Sequence, residues 1–409
     1  MRDLPFDIDD PRLAAATWSR LVEPGDKVTS ALVTRLGAVE ALRWLVGVAR
    51  RGVGADAGPT LQAGPTLQAA ARLVPRLENL DIRRELDVLA RLGGHLVLPG
   101  DQGWPEQLDD LEDRPFALWV RGRLPGELPP GRPPAPPGAA TPAVAVVGAR
   151  AATAYGQRVA AELAVGLTEA GVAVVSGGAY GIDAAAHRGT LTAGGYTVAV
   201  LAGGVDRLYP AGNAALLEAI AADGAVFAEV PPGCAPSRSR FLARNRLIAA
   251  LAGATVVVEA AWRSGALNTA AHAAGLSRPV GAVPGPVTSM ASAGCHRLMR
   301  EQGAVCVTDA AEVLELVMPL GAVEPESPPV QPSLLDGLDP RAARVLDSLP
   351  ARGSAVVASI ARAAGLSPAE VRSALGHLEL GGHVDRDGGA WRRARGRRGP
   401  ALGAEHRLT

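Results

Sequence analysis

Between Ala143 and Asp183 the chain follows a pattern that leaves one compact solution. An apolar, β-branched run at 144–147 breaks at Gly148, an amphipathic stretch covers 157–169, Gly171 stops it, and a second apolar run fills 172–175. Strand, helix and strand in that order predict a parallel βαβ unit. Both runs end in small residues that open a helix, so backbone N–H groups at two helix N-termini are expected to converge on one edge of the sheet. Such an edge favours phosphate, because unpaired helix N–H groups and the helix dipole both attract anions.

The alternation continues. Apolar runs at 197–201, 225–229, 255–259, 280–283 and 305–307 are separated by helical stretches at 183–193, 213–222, 243–251, 267–275 and 296–302. This predicts an α/β fold, a doubly wound and mostly parallel sheet over 143–318 with its ligand edge at the strand C-termini. Ahead of it, residues 1–92 read as an N-terminal helical domain with helices at 12–21, 28–35, 39–48 and 69–92, the last broken near Pro75. Leu36-Gly37 sits between two of them like the turn of a SAM or helix-hairpin-helix module; a plain helical domain without DNA contact is the alternative. Residues 58–63 recur as 64–69, a local duplication too short for a solenoid. Residues 93–142 are expected to connect the two domains, pairing a strand with the second and ending in a Pro-rich linker from Pro129.

A second Pro-rich linker is placed at 319–338, a winged helix at 339–393 and a basic tail at 394–409. The winged helix is read from helices at 340–349, 356–364 and 367–380, with Gly365-Leu366 as the turn, Ser367 as N-cap before Pro368, and a hairpin turning at Asp387-Gly388-Gly389. Its last helix offers Arg372 and His377 against Glu370 and Glu379, a poor set for reading base edges. The wing and tail arginines (Arg386, Arg392, Arg393, Arg395, Arg397, Arg398) suit a phosphate backbone, and a protein-contact role is the equal alternative.

A hydrophobic content of 48% over 409 residues is ample for a core, and 41 basic side chains balance 41 acidic ones. Affinity for nucleic acid must therefore come from local clustering. Cys234, Cys295 and Cys306 are widely spaced without C-x-x-C, which argues against a disulfide framework or a Cys-rich zinc site and fits a reducing cytoplasm. No apolar signal core or membrane-length run is present, so a cytoplasmic location without membrane contact is expected. The first strand-to-helix turn lacks G-x-G-x-x-G, no G-x-x-x-x-G-K-[ST] occurs, and the histidines are dispersed. No cofactor or metal is expected.

What stands after Gly148 is Arg150, a planar five-donor cation suited to a bidentate grip on phosphate. Three further turns are expected at the same edge: Ser176-Gly177-Gly178, Ala202-Gly203-Gly204 and Trp262-Arg263-Ser264-Gly265. With Phe241, Arg244, Asn245 and Arg246 at the start of another helix, they predict a long cationic strip of N–H groups able to follow several phosphates. Phe241, Tyr209 and Trp262 are the aromatics near that edge, so phosphate contacts should outweigh stacking and binding should be steeply salt-dependent. A catalytic alternative uses Asp183 and His187, at i and i+4, with Ser176 upstream; the helix can equally use Asp183 as a cap and His187 as a structural residue. A non-enzymatic protein is expected.

These motifs closely resemble the DNA-processing protein A (DprA/Smf) family. The resemblance rests on Val147-Gly148-Ala149-Arg150 with Thr153 and Tyr155-Gly156; Ser176 to Asp183 with Ala186-His187; Gly204, Asp206, Tyr209-Pro210 and Asn213; Glu229 with Pro231-Pro232-Gly233; Phe241 with Arg244-Asn245-Arg246; Val258-Glu259-Ala260 with Ser264-Gly265; and Val283-Pro284-Gly285. It implies an extended Rossmann domain flanked by a helical domain and a winged helix. It also implies sequence-independent binding and protection of single-stranded DNA, homodimerisation, and loading of the RecA recombinase in natural transformation or recombination. Carried over by position, Gly148, Arg150, Ser176, Gly177, Gly178, Gly203, Gly204, Phe241, Arg244, Asn245, Arg246, Ser264 and Gly265 become DNA-binding candidates. Ala149, Leu242, Asn268 and His296 depart from the family pattern without removing a cation or glycine turn. The dimer surface is expected on 267–303. The alternative is a phosphoribohydrolase-like nucleotide-processing enzyme, whose Pro-Gly-Gly-x-Gly-Thr-x-x-Glu signature is missing because Pro286-Val287 follow Pro284-Gly285.

Overall fold

The computed structural model describes residues 4–51, 63–78, 80–124, 142–317, 339–350 and 353–394. The first copy of the short repeat up to residue 62, both Pro-rich linkers apart from Pro142, and the basic tail with Arg395, Arg397 and Arg398 lie outside the described residues. The chain divides into two compact units, Met1–Glu324 and Pro325–Thr409.

The first unit opens with α1 (Pro11–Leu21), α2 (Lys27–Leu36), α3 (Ala38–Arg51), α4 (Ala63–Leu73) and α5 (Ile82–Arg91). Asp10, Asp26 and Asp81 cap α1, α2 and α5 by accepting first-turn N–H bonds. Gly37, at φ 80°, turns the corner between α2 and α3, a conformation that costs residues with a Cβ. These helices are not a compact unit of their own, as the predicted boundary at residue 92 implied. Trp18, Leu21, Leu42, Leu45 and Leu77 share one core with Ala199, Leu201, Leu217 and Ile220 of the α/β part, and Trp119 Nε1 donates to Ser19 Oγ at 3.0 Å.

The strands are β1 (His95–Val97), β2 (Leu118–Gly122), β3 (Ala143–Val147), β4 (Ala173–Ser176), β5 (Thr197–Leu201), β6 (Ala225–Ala228), β7 (Ala254–Val257), β8 (Val280–Ala282) and β9 (Val305–Cys306). They form one sheet in the order β1-β2-β6-β5-β4-β3-β7-β8-β9. From β6 to β9 every pairing is parallel, while β2 pairs antiparallel with β1 and β6. The segment expected to connect two domains is thus the antiparallel border of the sheet. Between the strands run α6 (Ala154–Glu169), α7 (Ile182–Thr192), α8 (Ala214–Asp223), α9 (Arg238–Leu251), α10 (Gly265–Gly275) and α11 (Ala293–Glu301), and α12 (Ala310–Val317) follows β9.

Side chains alternate across the strands with the period of two that sends neighbours to opposite faces. Val144 and Val146 pack with α6, α7 and α12, whereas Ala145 and Val147 pack with α9, α10 and α11. Strand order reverses at β3, which has β4 on one side and β7 on the other. Chains diverging from such a switch point leave a crevice at the strand C-termini.

The second unit contains α13 (Pro340–Asp347), α14 (Val357–Ala364), α15 (Pro368–Leu380) and a hairpin of β10 (Val384–Asp387) and β11 (Ala390–Arg393). Its core comprises Val345, Ile360, Val371, Leu375, Leu378 and Trp391, among others. Ser367 and Glu370 form a reciprocal capping box, and Gly365 ends α14 in the left-handed region. Among the described residues no helix is long and apolar enough to cross a membrane.

Candidate nucleic-acid interface

The crevice at the switch point is a cleft of about 610 Å³, walled by Val147 and Gly148 at the end of β3, Arg150 in the loop beyond, Tyr209, and the first turns of α9 and α10. Helix α9 begins at Arg238, five residues before the expected start, because Ser237 caps it by accepting the Arg240 N–H at 3.3 Å. Phe241 therefore stands one turn in, and Arg244, Asn245 and Arg246 lie inside the helix. Two helical positions differ by roughly 200°, so Arg244 and Arg246 face opposite ways.

Arg244 turns into the cleft. It is buried and donates to Val200 O at 2.5 Å. Burial lowers its pKa to about 10 against the pull of the Asp183 carboxylate, which leaves it cationic at neutral pH. Its guanidinium carbon lies 5.8 Å from the Phe241 ring centroid, and that of Arg150 lies 4.7 Å away. Tyr209 meets the same ring at 5.8 Å. Arg150 and Arg238 are exposed cleft residues and have no carboxylate partner among the described residues. Ser264 caps α10 by accepting the Ala266 N–H at 3.3 Å, and Asn245 Nδ2 joins α9 to α10 by donating to Gly265 O at 3.3 Å and Asn268 Oδ1 at 3.2 Å. Two helix N-termini and three arginines thus face one cleft, whose lining includes a single carboxylate, Asp183.

The helices that supply those N-termini are α9 and α10, which the sequence placed on this edge through Phe241 to Arg246 and Ser264-Gly265; the N-terminus of α6, expected there from the βαβ unit, does not reach it. At α6, Thr153 caps the helix and the Glu259 carboxylate takes the Thr153 N–H at 2.9 Å and its hydroxyl at 2.6 Å, so those donors are spent internally. They border a different cavity, of about 570 Å³, with Tyr155, Pro284 and Gly285.

Six of the predicted site residues do not line the cleft: Ser176, Gly177, Gly178, Gly203, Gly204 and Arg246. The continuous strip of exposed N–H groups is absent at both glycine turns. Ser176 is buried and donates its hydroxyl to Val146 O at 2.6 Å, and the Gly177 and Ala179 N–H groups donate to Asp183 Oδ2 at 3.2 and 3.3 Å. A Cβ on Gly177 would collide with the Arg244 guanidinium. The Gly204 N–H goes to Cys234 O at 2.9 Å, and the loop around Cys234 and Pro236 leaves no room for a Cβ on Gly203. Arg246 is buried on the far side of α9, in ion pairs with Glu229 at 2.6 Å and Asp113 at 3.1 Å. The turns nevertheless build the site, since their tightness lets Arg244 lie against the sheet edge. Sequence reasoning missed Arg238; Ser237 three residues ahead of Arg240, before an apolar stretch, is the capping signal that locates it.

The catalytic alternative is not assembled in these positions. The hydroxyl of Thr197 donates to Val174 O at 2.7 Å, so it must accept from His187 Nδ1, also at 2.7 Å. His187 is buried as the neutral Nδ1–H tautomer, and burial lowers its pKa to about 3. Neither Ser176 nor Asp183 is its partner. Among the described residues no three His, Cys, Asp or Glu side chains are grouped to hold a metal.

Residues 95–318 match the family model for DNA recombination-mediator protein A, and residues 325–390 match the DprA winged helix domain. The chain is 45% identical over 416 residues to a DNA processing protein DprA of Mycobacterium tuberculosis, across 98% of this chain and 100% of that protein. It is 39% identical over 214 residues to DprA of Streptococcus pneumoniae, covering 52% of this chain and 71% of the relative. The X-ray structure of the S. pneumoniae protein superposes with a TM-score of 0.60 at 29% identity, over 77% of this chain and 100% of that one.

Proposed function

Because this chain belongs to the DNA recombination-mediator protein A (DprA/Smf) family, we propose that it binds single-stranded DNA without sequence preference in the switch-point cleft. On this reading it is a cytoplasmic, non-enzymatic homodimer that protects incoming strands and loads the RecA recombinase onto them. The observation that carries the reading is the convergence of Arg150, Arg238 and Arg244 with the N-termini of α9 and α10 around Phe241. Cations and helix N–H groups grip phosphates, which every sequence shares. Asn245, the amide side chain in the cleft, spends its Nδ2 on Gly265 O and Asn268 Oδ1 rather than presenting it to a base edge.

Arg150 and Arg238 are the positions to test, because they are exposed. Arg244 is a structural part of the cleft floor, so its removal would confound affinity with folding. Binding of labelled oligo-dT at several salt concentrations is expected to show a slope of about −0.7 in log K against log salt for each phosphate neutralised. Arg150→Ala with Arg238→Ala should flatten that slope by about 1 to 2 and weaken binding, with the circular dichroism spectrum unchanged. A salt-independent wild type, or unaltered affinity in the double variant, overturns the reading. Light scattering tests the dimer, and the rate of RecA filament formation on coated strands tests the loading step.

A further inference from the structure

We infer that Trp262 is a base-stacking platform that carries the strand out of the cleft to a second nucleotide subsite, an inference that rests on the cleft being the single-strand site. Of the chain's six tryptophans, Trp18, Trp104, Trp119 and Trp391 are buried and Trp44 is partly buried, while Trp262 is 48% exposed. It belongs to the loop between β7 and α10, two residues before Ser264, whose side of the turn lines the cleft together with Gly265. A ring that size left half in water buries little apolar area for the fold.

The indole is nevertheless held in place. Arg297, from α11, puts its guanidinium carbon 5.0 Å from the Trp262 ring centroid and donates from Nη1 to Trp262 O at 3.3 Å. No carboxylate pairs with Arg297 among the described residues, and its Nε is buried without a hydrogen-bond partner. Its charge is therefore committed to the ring. A guanidinium on one side of an indole fixes its tilt and leaves the remaining surface for another flat group. Phe241 differs: its ring already contacts two guanidiniums and Tyr209.

The ligand class follows from position. Arg263, exposed and without an ion pair among the described residues, stands between the indole and the α10 N-terminus. A strand whose phosphates run along Ser264 and Gly265 would bring its next base over Trp262. Stacking on an indole accepts any base, in keeping with binding that ignores sequence.

The test is tryptophan emission of the full chain titrated with oligo-dT of about 4 and about 16 nucleotides, which bracket single-strand site sizes. The longer oligonucleotide should quench emission in the wild type and leave it unquenched in Trp262→Ala. That variant should bind the longer strand about tenfold more weakly and the shorter one nearly as before. Trp262→Phe should restore most of the affinity and not the quenching, which separates stacking from loop folding. Tight binding without quenching in the wild type, or quenching that persists in Trp262→Ala, overturns the platform alone. A wild type that binds neither oligonucleotide overturns the cleft reading as well.

Discussion

At the scale of single residues the cleft shows how a basic side chain is held without a salt bridge. Arg244 hydrogen-bonds a carbonyl, faces Phe241, and shares its surroundings with an Asp183 carboxylate already taken by two backbone N–H groups. Gly177 makes this possible, because only a residue without a Cβ leaves space for the guanidinium. His187 sits one turn along α7 from Asp183 and has the opposite fate, buried and neutral. Its folded pKa, about 3, lies below the ordinary value of 6.5, so on acidification the unfolded chain takes up a proton that the folded chain refuses. Stability contributed by this group is complete above pH 6.5 and is lost progressively as pH falls toward 3. Between pH 7 and pH 5 the loss should be about 2 kcal/mol. Urea unfolding of wild type and His187→Leu at the two pH values checks it, since the variant should lack that share of the decline.

The helix that matters most to the site is α9, and its register depends on one hydroxyl. Ser237 starts the helix early enough to bring Arg238 and Phe241 to the cleft. Arg240, in the same turn, clamps Glu23 near the end of α1 with bonds of 2.9 and 3.0 Å, and that hydrogen bonding chiefly holds the Glu23 carboxyl below its usual pKa. Ser237→Ala is expected to cost about 1 kcal/mol of unfolding free energy and to weaken oligo-dT binding through fraying of the first turn. Arg240 and Glu23 form a partly exposed pair, so breaking it should cost less. Denaturant titration alongside strand binding distinguishes a frayed helix from a lost contact. Helix α9 was legible as a helix from its apolar spacing but not in its start, because the stretch Ser237 to Arg240 carries no hydrophobic period and only its cap announces it.

On the scale of the whole molecule, three of the four hydrophobic cores lie in the first unit, which also holds the entire cleft. In the winged helix the described arginines of the hairpin are engaged within the unit, whereas Arg341, Arg362 and Arg372 are exposed on its helices without an ion pair among the described residues. Arg386 lies 4.8 Å from the Trp391 ring and 3.4 Å from Glu379, Arg392 is 4.0 Å from Asp385, and Arg393 is 3.6 Å from Asp347. Glu370 is spent on the Ser367 capping box. Because the cleft and its cores lie within the first unit, residues 1–324 alone are expected to melt cooperatively and to bind oligo-dT with the affinity of the full chain, which would leave the winged helix for a protein contact. A marked loss of affinity in the truncated protein would assign the second unit a hold on the strand.

The alternation of apolar runs and amphipathic stretches dictated the parallel sheet and nearly every element in it, since burial periodicity is a local property of the chain. The winged helix was legible for the same reason, through Ser367-Pro368, Gly365 and the glycines of its hairpin. The family resemblance rested on motifs in fixed order, and those too are local. Three things were not local. Strand order put β7 beside β3 and so opened the crevice there. Packing decided which of Arg244 and Arg246, set on opposite sides by the helical period, faces the cleft and which the Glu229 and Asp113 carboxylates. Competition for donors let Asp183, Glu259 and the loop at Cys234 consume the N–H groups that motif spacing assigned to a ligand. A backbone donor is free or spent according to what folds back onto it, and that partner stands 6 residues away at Gly177 and 106 at Thr153.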